Sequence, residues 1–192
     1  MTVKDLIVRK DGVDPYPEVT LYGEIFLSII QSMNYYDFQS AVDEWLTESE
    51  IRVIDPDAWY PRQEWLNLLI KLEGQPSSMQ NQVSIGMKVI DNAVLPEDLK
   101  IENVQDAISV LIAVYTQNQQ NLPEGDTGYE VKKIDEKTYE IWDTNPYLLF
   151  VNYGYIYGIL KRFLPTSFTL KYEYMNKEDP QMGGVIFTVI CD

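Results

Sequence analysis

The sequence predicts an α+β fold: an N-terminal helical layer followed by a ββαββ unit with an antiparallel sheet. Three observations predict it. In the first half the apolar side chains recur at three- and four-residue steps, the period of a helix face. In the second half they mostly alternate or form short β-branched runs, the patterns of strands. Between two pairs of such runs stands one proline-bounded segment, "NPYLLFVNYGYIYGILKRFLP", with helical period. Paired strands flanking one helix favour a helix packed on an antiparallel sheet. The chain of 192 residues, 45% apolar and 23% charged, suits a single domain over 1–192. Its helical part is expected over about 17–122 and its ββαββ part over about 127–192.

In the helical part, Val19, Tyr22, Phe26, Ile29, Ile30 and Met33 form one face of a helix starting at Val19. Phe38, Ala41, Val42 and Trp45 repeat the pattern behind Asp37, a plausible cap. The two prolines of "RVIDPDAWYP" break it. Pro61 suits the first turn of a third helix, where its missing N–H costs nothing. Trp65, Leu66, Leu69, Ile70 and Leu72 give that helix its buried face, and Gly74 is its expected stop. A fourth helix is expected from Ser78 to about Asn92. Gly86 inside it costs about 1 kcal/mol relative to alanine, so it marks close approach of another backbone. The next helix is apolar nearly all round from Ala107 to Tyr115, which predicts a central position. "NLPEGDTG" is the clearest loop.

In the second part, "GYEVKKIDEKTYEIWD" reads as two strands turning near Asp135 and Glu136. "SFTLKYEY" puts Phe168, Leu170, Tyr172 and Tyr174 on one face, and "GGVIFTVI" reads as a strand buried on both faces. The helix between the pairs is expected from about Phe150 to Phe163, with Asn145 as a capping residue and Pro165 as its end.

Composition narrows the chemistry. There are 30 acidic residues against 15 basic, a formal net charge of -15, which repels phosphate backbones and anionic membranes. No nucleic-acid partner is expected. One cysteine, Cys191, forbids an intrachain disulfide and fits a reducing compartment. The N-terminal residues lack the apolar run of a signal peptide, and "AISVLIAVY" is too short to span a bilayer. A cytoplasmic location is expected.

The chain has no histidine. That removes the commonest general base, the usual zinc ligand and the usual proximal haem ligand. Haem would have to be held by tyrosine or methionine. The expectation is therefore no metal site and no cofactor, haem included. Neither G-x-S-x-G nor a phosphate-binding loop occurs. The acidic pairs Asp55 and Asp57, Glu97 and Asp98, Asp135 and Glu136, and Glu178 and Asp179 sit in solvated turns, which do not raise a carboxylate's pKa for acid–base work. The chain is not expected to be an enzyme.

"WYPRQEWLNLL", "IGMKVIDNAVLP" and above all "NPYLLFVNYGYIYGILKRFLP" resemble the superfamily joining haem-nitric-oxide-binding domains, vinyl-reductase-type domains and Golgi transport-tether subunits. The nearest look is to bacterial vinyl-reductase-like proteins. Pro146, Tyr147, Gly154, Gly158, Arg162 and Phe163 fit the pattern, while Leu148 and Leu149 replace the proline and cysteine of many relatives. The cysteine pair often found in the C-terminal hairpin is also missing. The resemblance implies an enclosed apolar ligand or lipid chain, and a tendency to dimerise.

Two functions follow as expectations. The first is a non-enzymatic sensory or regulatory module holding an apolar or aromatic ligand between helices and sheet. Its candidate ligand-binding residues are Trp59, Tyr115, Tyr147, Phe150, Tyr153 and Tyr157, although aromatics so placed read first as core packing. The second is a dimeric interaction or scaffold protein, docking a partner through an exposed apolar face near Phe26, Ile30 or Trp45.

Overall fold

Where the first helix was expected to begin, the chain is extended. Thr20–Tyr22 (β1) pairs antiparallel with Trp59–Pro61 (β2) on one side and Gln119–Gln120 (β3) on the other. Helix α1 follows over Gly23–Ser32. A Cβ on Gly23 would stand 2.1 Å from Asp55 O, so only glycine fits this strand-to-helix corner. Local periodicity proposed a helix from Val19; pairing with segments 40 and 100 residues away overrides it. The computed structural model describes residues 9–32, 35–49, 51–73, 78–93, 95 and 99–192, without the side chains of 32, 35–37 and 78.

Helix α2 spans Tyr35–Glu48, and α3 spans Arg62–Glu73 directly behind Pro61, which closes β2. Asp37, the expected cap, falls inside α2, and the expected stop at Gly74 lies outside the described residues. Helix α4 covers Ser78–Asn92, as its periodicity indicated. Helix α5, Val104–Gln117, is capped by Asn103, whose Oδ1 accepts from Asp106 N at 3.1 Å.

The second part is a four-stranded antiparallel sheet of Tyr129–Lys133 (β4), Thr138–Asp143 (β5), Phe168–Tyr174 (β6) and Val185–Cys191 (β7), in the order β4-β5-β7-β6. Helix α6, Leu149–Phe163, lies between its two hairpins. The ββαββ reading holds. At the first turn, Asp135 Oδ1 accepts from the N–H groups of both Lys137 and Thr138 at 2.8 Å. Strand β7 differs from expectation. Val185, Phe187 and Val189 are buried, but Ile186 and Thr188 are only half-buried and Ile190 is 36% exposed. One face of that strand packs under α6, and its apolar run does not mean burial on both sides.

The central helix is α6, not α5. Val151, Ile156, Ile159 and Leu160 are fully buried, whereas α5 buries a single stripe and leaves Val114 36% exposed. Helix α4 crosses α6 at Gly86 and Gly154: a Cβ on Gly86 would meet Val151 O at 2.4 Å and Gly154 Cα at 2.8 Å. The expected close approach at Gly86 is present, with α6 as the partner. Asn145 does not cap that helix. Its Oδ1 accepts from Tyr147 N at 3.0 Å and Asn152 Nδ2 at 2.8 Å, and Leu148, at the N-cap, makes no side-chain cap bond.

An N-terminal segment ties the two parts together. Lys10 Nζ donates to Asp143 Oδ2 at 2.9 Å and Asn145 O at 2.7 Å, beneath α6. Four residues later, Asp14 receives Arg62 of α3 through Nε at 2.8 Å and Nη2 at 2.6 Å, a two-pronged pair. Both ion pairs are buried.

Candidate functional site

Arg62 occupies a place on α3 where a helix-face count would put a hydrophobe: it stands three before Trp65, four before Leu66 and seven before Leu69. The whole residue is 0% exposed. With one edge of the guanidinium on Asp14, Nη1 donates to Tyr115 Oη at 3.1 Å and to Gln119 Oε1 at 3.0 Å. Tyr115 Oη in turn donates to Asp126 Oδ2 at 3.1 Å. The other Asp126 oxygen accepts from Gly128 N at 3.0 Å. Gly128 has φ +70° and lies so close to the Tyr115 ring that a Cβ would stand 2.8 Å from Cγ. The loop read from "NLPEGDTG" thus turns one of its carboxylates inward.

This buried chain, Asp14–Arg62–Tyr115–Asp126, borders a cavity of about 70 Å³. Leu21, Ile25, Ile90, Leu111 and Val114 give it apolar walls, and Tyr115 and Tyr147 stand together in its lining. Their rings are 6.1 Å apart at 61°, and Tyr129 meets Tyr115 at 6.3 Å and 74°. Burial pushes the Tyr115 phenol well above its ordinary range, and the Asp126 carboxylate pushes the same way. Burial also raises Tyr147 and Asp126. Burial disfavours the Arg62 charge, but the Asp14 carboxylate together with the Tyr115 and Tyr147 hydroxyls outweighs it and keeps the guanidinium protonated. At neutral pH the Tyr115 hydroxyl is therefore a donor wired to a fixed cation.

Of the residues singled out from sequence, the structure brings Tyr115 and Tyr147 together. The other four stand elsewhere. Trp59 is 37% exposed on β2 and packs on Tyr22, ring centroids 5.1 Å apart. Phe150, Tyr153 and Tyr157 face the sheet: Phe150 meets Tyr172 at 6.2 Å, Tyr153 meets Phe187 at 6.2 Å, and Tyr157 meets Phe168 at 5.3 Å. Sequence reasoning missed Asp14, Arg62, Gln119 and Asp126. Arg62 carried a usable signal, a cation at a core position of its helix; the other three carried none. Among the described residues, no group of three or more Cys, Asp or Glu side chains is arranged as a metal site, and no helix is long and apolar enough to cross a membrane.

No protein-family model and no curated protein sequence matches the chain. Solved structures do. An oxygen-binding H-NOX domain related to soluble guanylate cyclases is 15% identical, with a TM-score of 0.62, over 90% of this chain and 95% of its own. A Fe(II) unliganded H-NOX protein from K. algicida is 16% identical, with a TM-score of 0.65, over 90% and 97%. An H-NOX structure solved to probe haem distortion is 16% identical, with a TM-score of 0.65, over 90% and 95%. These neighbours overturn one expectation. The lack of histidine was read as meaning no cofactor, yet domains of this shape are haem proteins, so a missing ligand type cannot carry that conclusion. At these identities the likeness establishes architecture: the chain has the fold of the H-NOX, haem-nitric-oxide-binding-like domains.

Proposed function

We propose that the chain is a ligand-binding sensory module, a single cytoplasmic unit that receives a small apolar ligand in the cavity beside Tyr115 and Tyr147. The observation that carries this reading is the pairing of an apolar enclosure with a buried hydroxyl linked through Arg62 to the N-terminal segment. A ligand that takes up or displaces the Tyr115 hydrogen bond changes what Arg62 must satisfy, and Arg62 holds Asp14. Occupancy is thereby read out as a change in how firmly the segment around residues 10–16 is held. The likeness in fold to an oxygen-binding domain supports a binding role in preference to a catalytic one. The motifs at 59–69, 85–96 and 145–165 support a place near the vinyl-reductase-like branch of the superfamily.

Haem is the group that the fold raises for this chain. As packed, the residues do not fit it. The cavity of about 70 Å³ is far below the roughly 300–1,000 Å³ typical of sites for drug-sized ligands. Tyrosine oxygen does hold haem iron in some proteins, but Tyr115 Oη is already bonded to Arg62 and Asp126. Seating a porphyrin requires α1, α5 and α6 to part. A ligand of a few heavy atoms requires no such movement.

Xenon and hemin test the two cases on the purified full chain. The proposal expects xenon to shift the methyl resonances of Leu111 and Val114, and amide exchange over residues 10–16 to change with it. A Soret band on hemin titration that is lost in Tyr115→Phe would instead place haem at this site and overturn the small-ligand reading. No xenon shift would overturn it as well. The partner-docking reading asked for exposure near Phe26, Ile30 or Trp45; Phe26 and Trp45 are buried and Ile30 is half-buried, so no observation favours it.

A further inference from the structure

A second cleft shares no residue with the Tyr115 cavity and leads to an inference independent of it. Its volume is about 460 Å³, within the range of small-molecule sites. The end of α2 contributes Trp45 and Glu48, α3 contributes Glu64, Asn67 and Lys71, and the N-terminal segment contributes Asp11 and Gly12. On α3 these side chains recur at three- and four-residue steps, so they share one face of the helix.

Two residues of this lining each carry a buried polar atom without a hydrogen-bond partner: Trp45 Nε1 and Glu64 Oε2. One is a donor and the other an acceptor. Trp45 is 1% exposed, its ring stacked on Phe26 with centroids 5.7 Å apart, so the indole cannot swing out to water. The surrounding groups are committed elsewhere. Asn67 Nδ2 reaches only the other Glu64 oxygen, at 3.4 Å, and Asn67 Oδ1 is taken by Gln63 Nε2 at 2.8 Å. Lys71 Nζ sits on Glu44 at 3.0 Å and Glu48 at 2.9 Å. Asp11 is paired with Arg9. Among the described residues, Glu64 is the carboxylate of this cleft without a cation.

Buried donors and acceptors in folded proteins nearly always have partners. An orphan donor and an orphan carboxylate oxygen in one roomy cleft therefore mark where a ligand's complementary groups belong. We propose that this cleft binds a small organic cation, an ammonium or guanidinium with a nearby carbonyl or hydroxyl. The cationic N–H donates to Glu64 Oε2, and the ligand's oxygen accepts from Trp45 Nε1–H. A cation is selected over a neutral donor because a charge-assisted bond to carboxylate is the stronger one, and because the chain's net charge of -15 concentrates cations at its surface.

Argininamide, which carries guanidinium, ammonium and a carbonyl, is the probe, titrated into the ¹⁵N-labelled full chain to about 10 mM, the range of weak ligands. The indole N–H resonance missing from Trp45→Phe identifies the reporter. The expected result is a saturable downfield shift of that resonance, with affinity reduced about tenfold in Glu64→Gln, as loss of a charged hydrogen bond implies. Butylammonium, which lacks the acceptor, leaves the indole resonance in place. The indole signals of Trp59, Trp65 and Trp142 report that Glu64→Gln remains folded. An unmoved Trp45 resonance throughout the titration, or binding equally strong in Glu64→Gln, overturns the proposal and leaves water as the occupant of the cleft.

Discussion

Gly86 and Gly154 bring two helix backbones into direct contact. A Cβ on Gly154 would stand 2.9 Å from Gly86 Cα and 2.4 Å from Val83 O. Both obstacles are main chain, so no rotamer change relieves them. The seam where α4 meets α6 is fixed by the absence of two side chains, and it holds α6 against the sheet on one side and the Tyr115 cavity on another.

Gly154→Ala should therefore destabilise the protein by about 3 kcal/mol, the upper end of an ordinary overpacking cost. Urea unfolding measures it. A loss within error of zero would mean that the helices slide apart without penalty and that the seam is not tight.

Arg62→Met should cost about 3–5 kcal/mol, because it leaves Asp14 buried without its cation. Adding Asp14→Leu should recover part of that loss, since the stranded charge is then gone. Amide exchange over residues 10–19 distinguishes this from a general loosening: in the single variant it should rise there first.

Asp126 has a pH signature. Burial raises its folded pKa above the ordinary 3.8. A group raised in the folded state contributes stability that is full below its unfolded pKa and lost as pH climbs through its folded value. The stability of the native chain relative to Asp126→Asn should thus fall as pH rises from about 4. Urea midpoints at several pH values, taken on dilute protein because the sequence pI is ≈ 4.3, test the sign. A difference that grows with pH would mean that Asp126 is ionised more easily in the fold than in the open chain.

Leu111→Phe should fill the cavity and abolish the xenon response, while changing stability by about 1 kcal/mol in either direction. Retention of the response in this variant would locate the xenon elsewhere.

How far the sequence could be read follows from the physics at each place. The ββαββ unit was legible because its signals are local: alternation in "SFTLKYEY", the Asp135 turn and the proline-bounded helix are each decided within a few residues. Helix α4 and the notch at Gly86 were legible for the same reason. The small sheet was not, since β1 is extended only because β2 and β3, far along the chain, pair with it. Tyr115 and Tyr147 were picked from their surplus aromatic character, but so were Phe150, Tyr153 and Tyr157, which the winding of α6 turns toward the sheet. Asp14 and Asp126 look like ordinary surface charges in one dimension, and Arg62 stands out only as a cation at a core position of its helix. Only folding shows that each is the other's solvent.

The Lys10 ammonium has a further consequence, one of timing. Its carboxylate partner, Asp143, lies 133 residues downstream. At roughly 5–20 residues per second, a ribosome needs on the order of 10 s to deliver that partner after Lys10 has been made. Throughout that interval the cation waits in water, and burying it early would strand a charge. The clasp at Lys10 thus cannot close until β5 has been made.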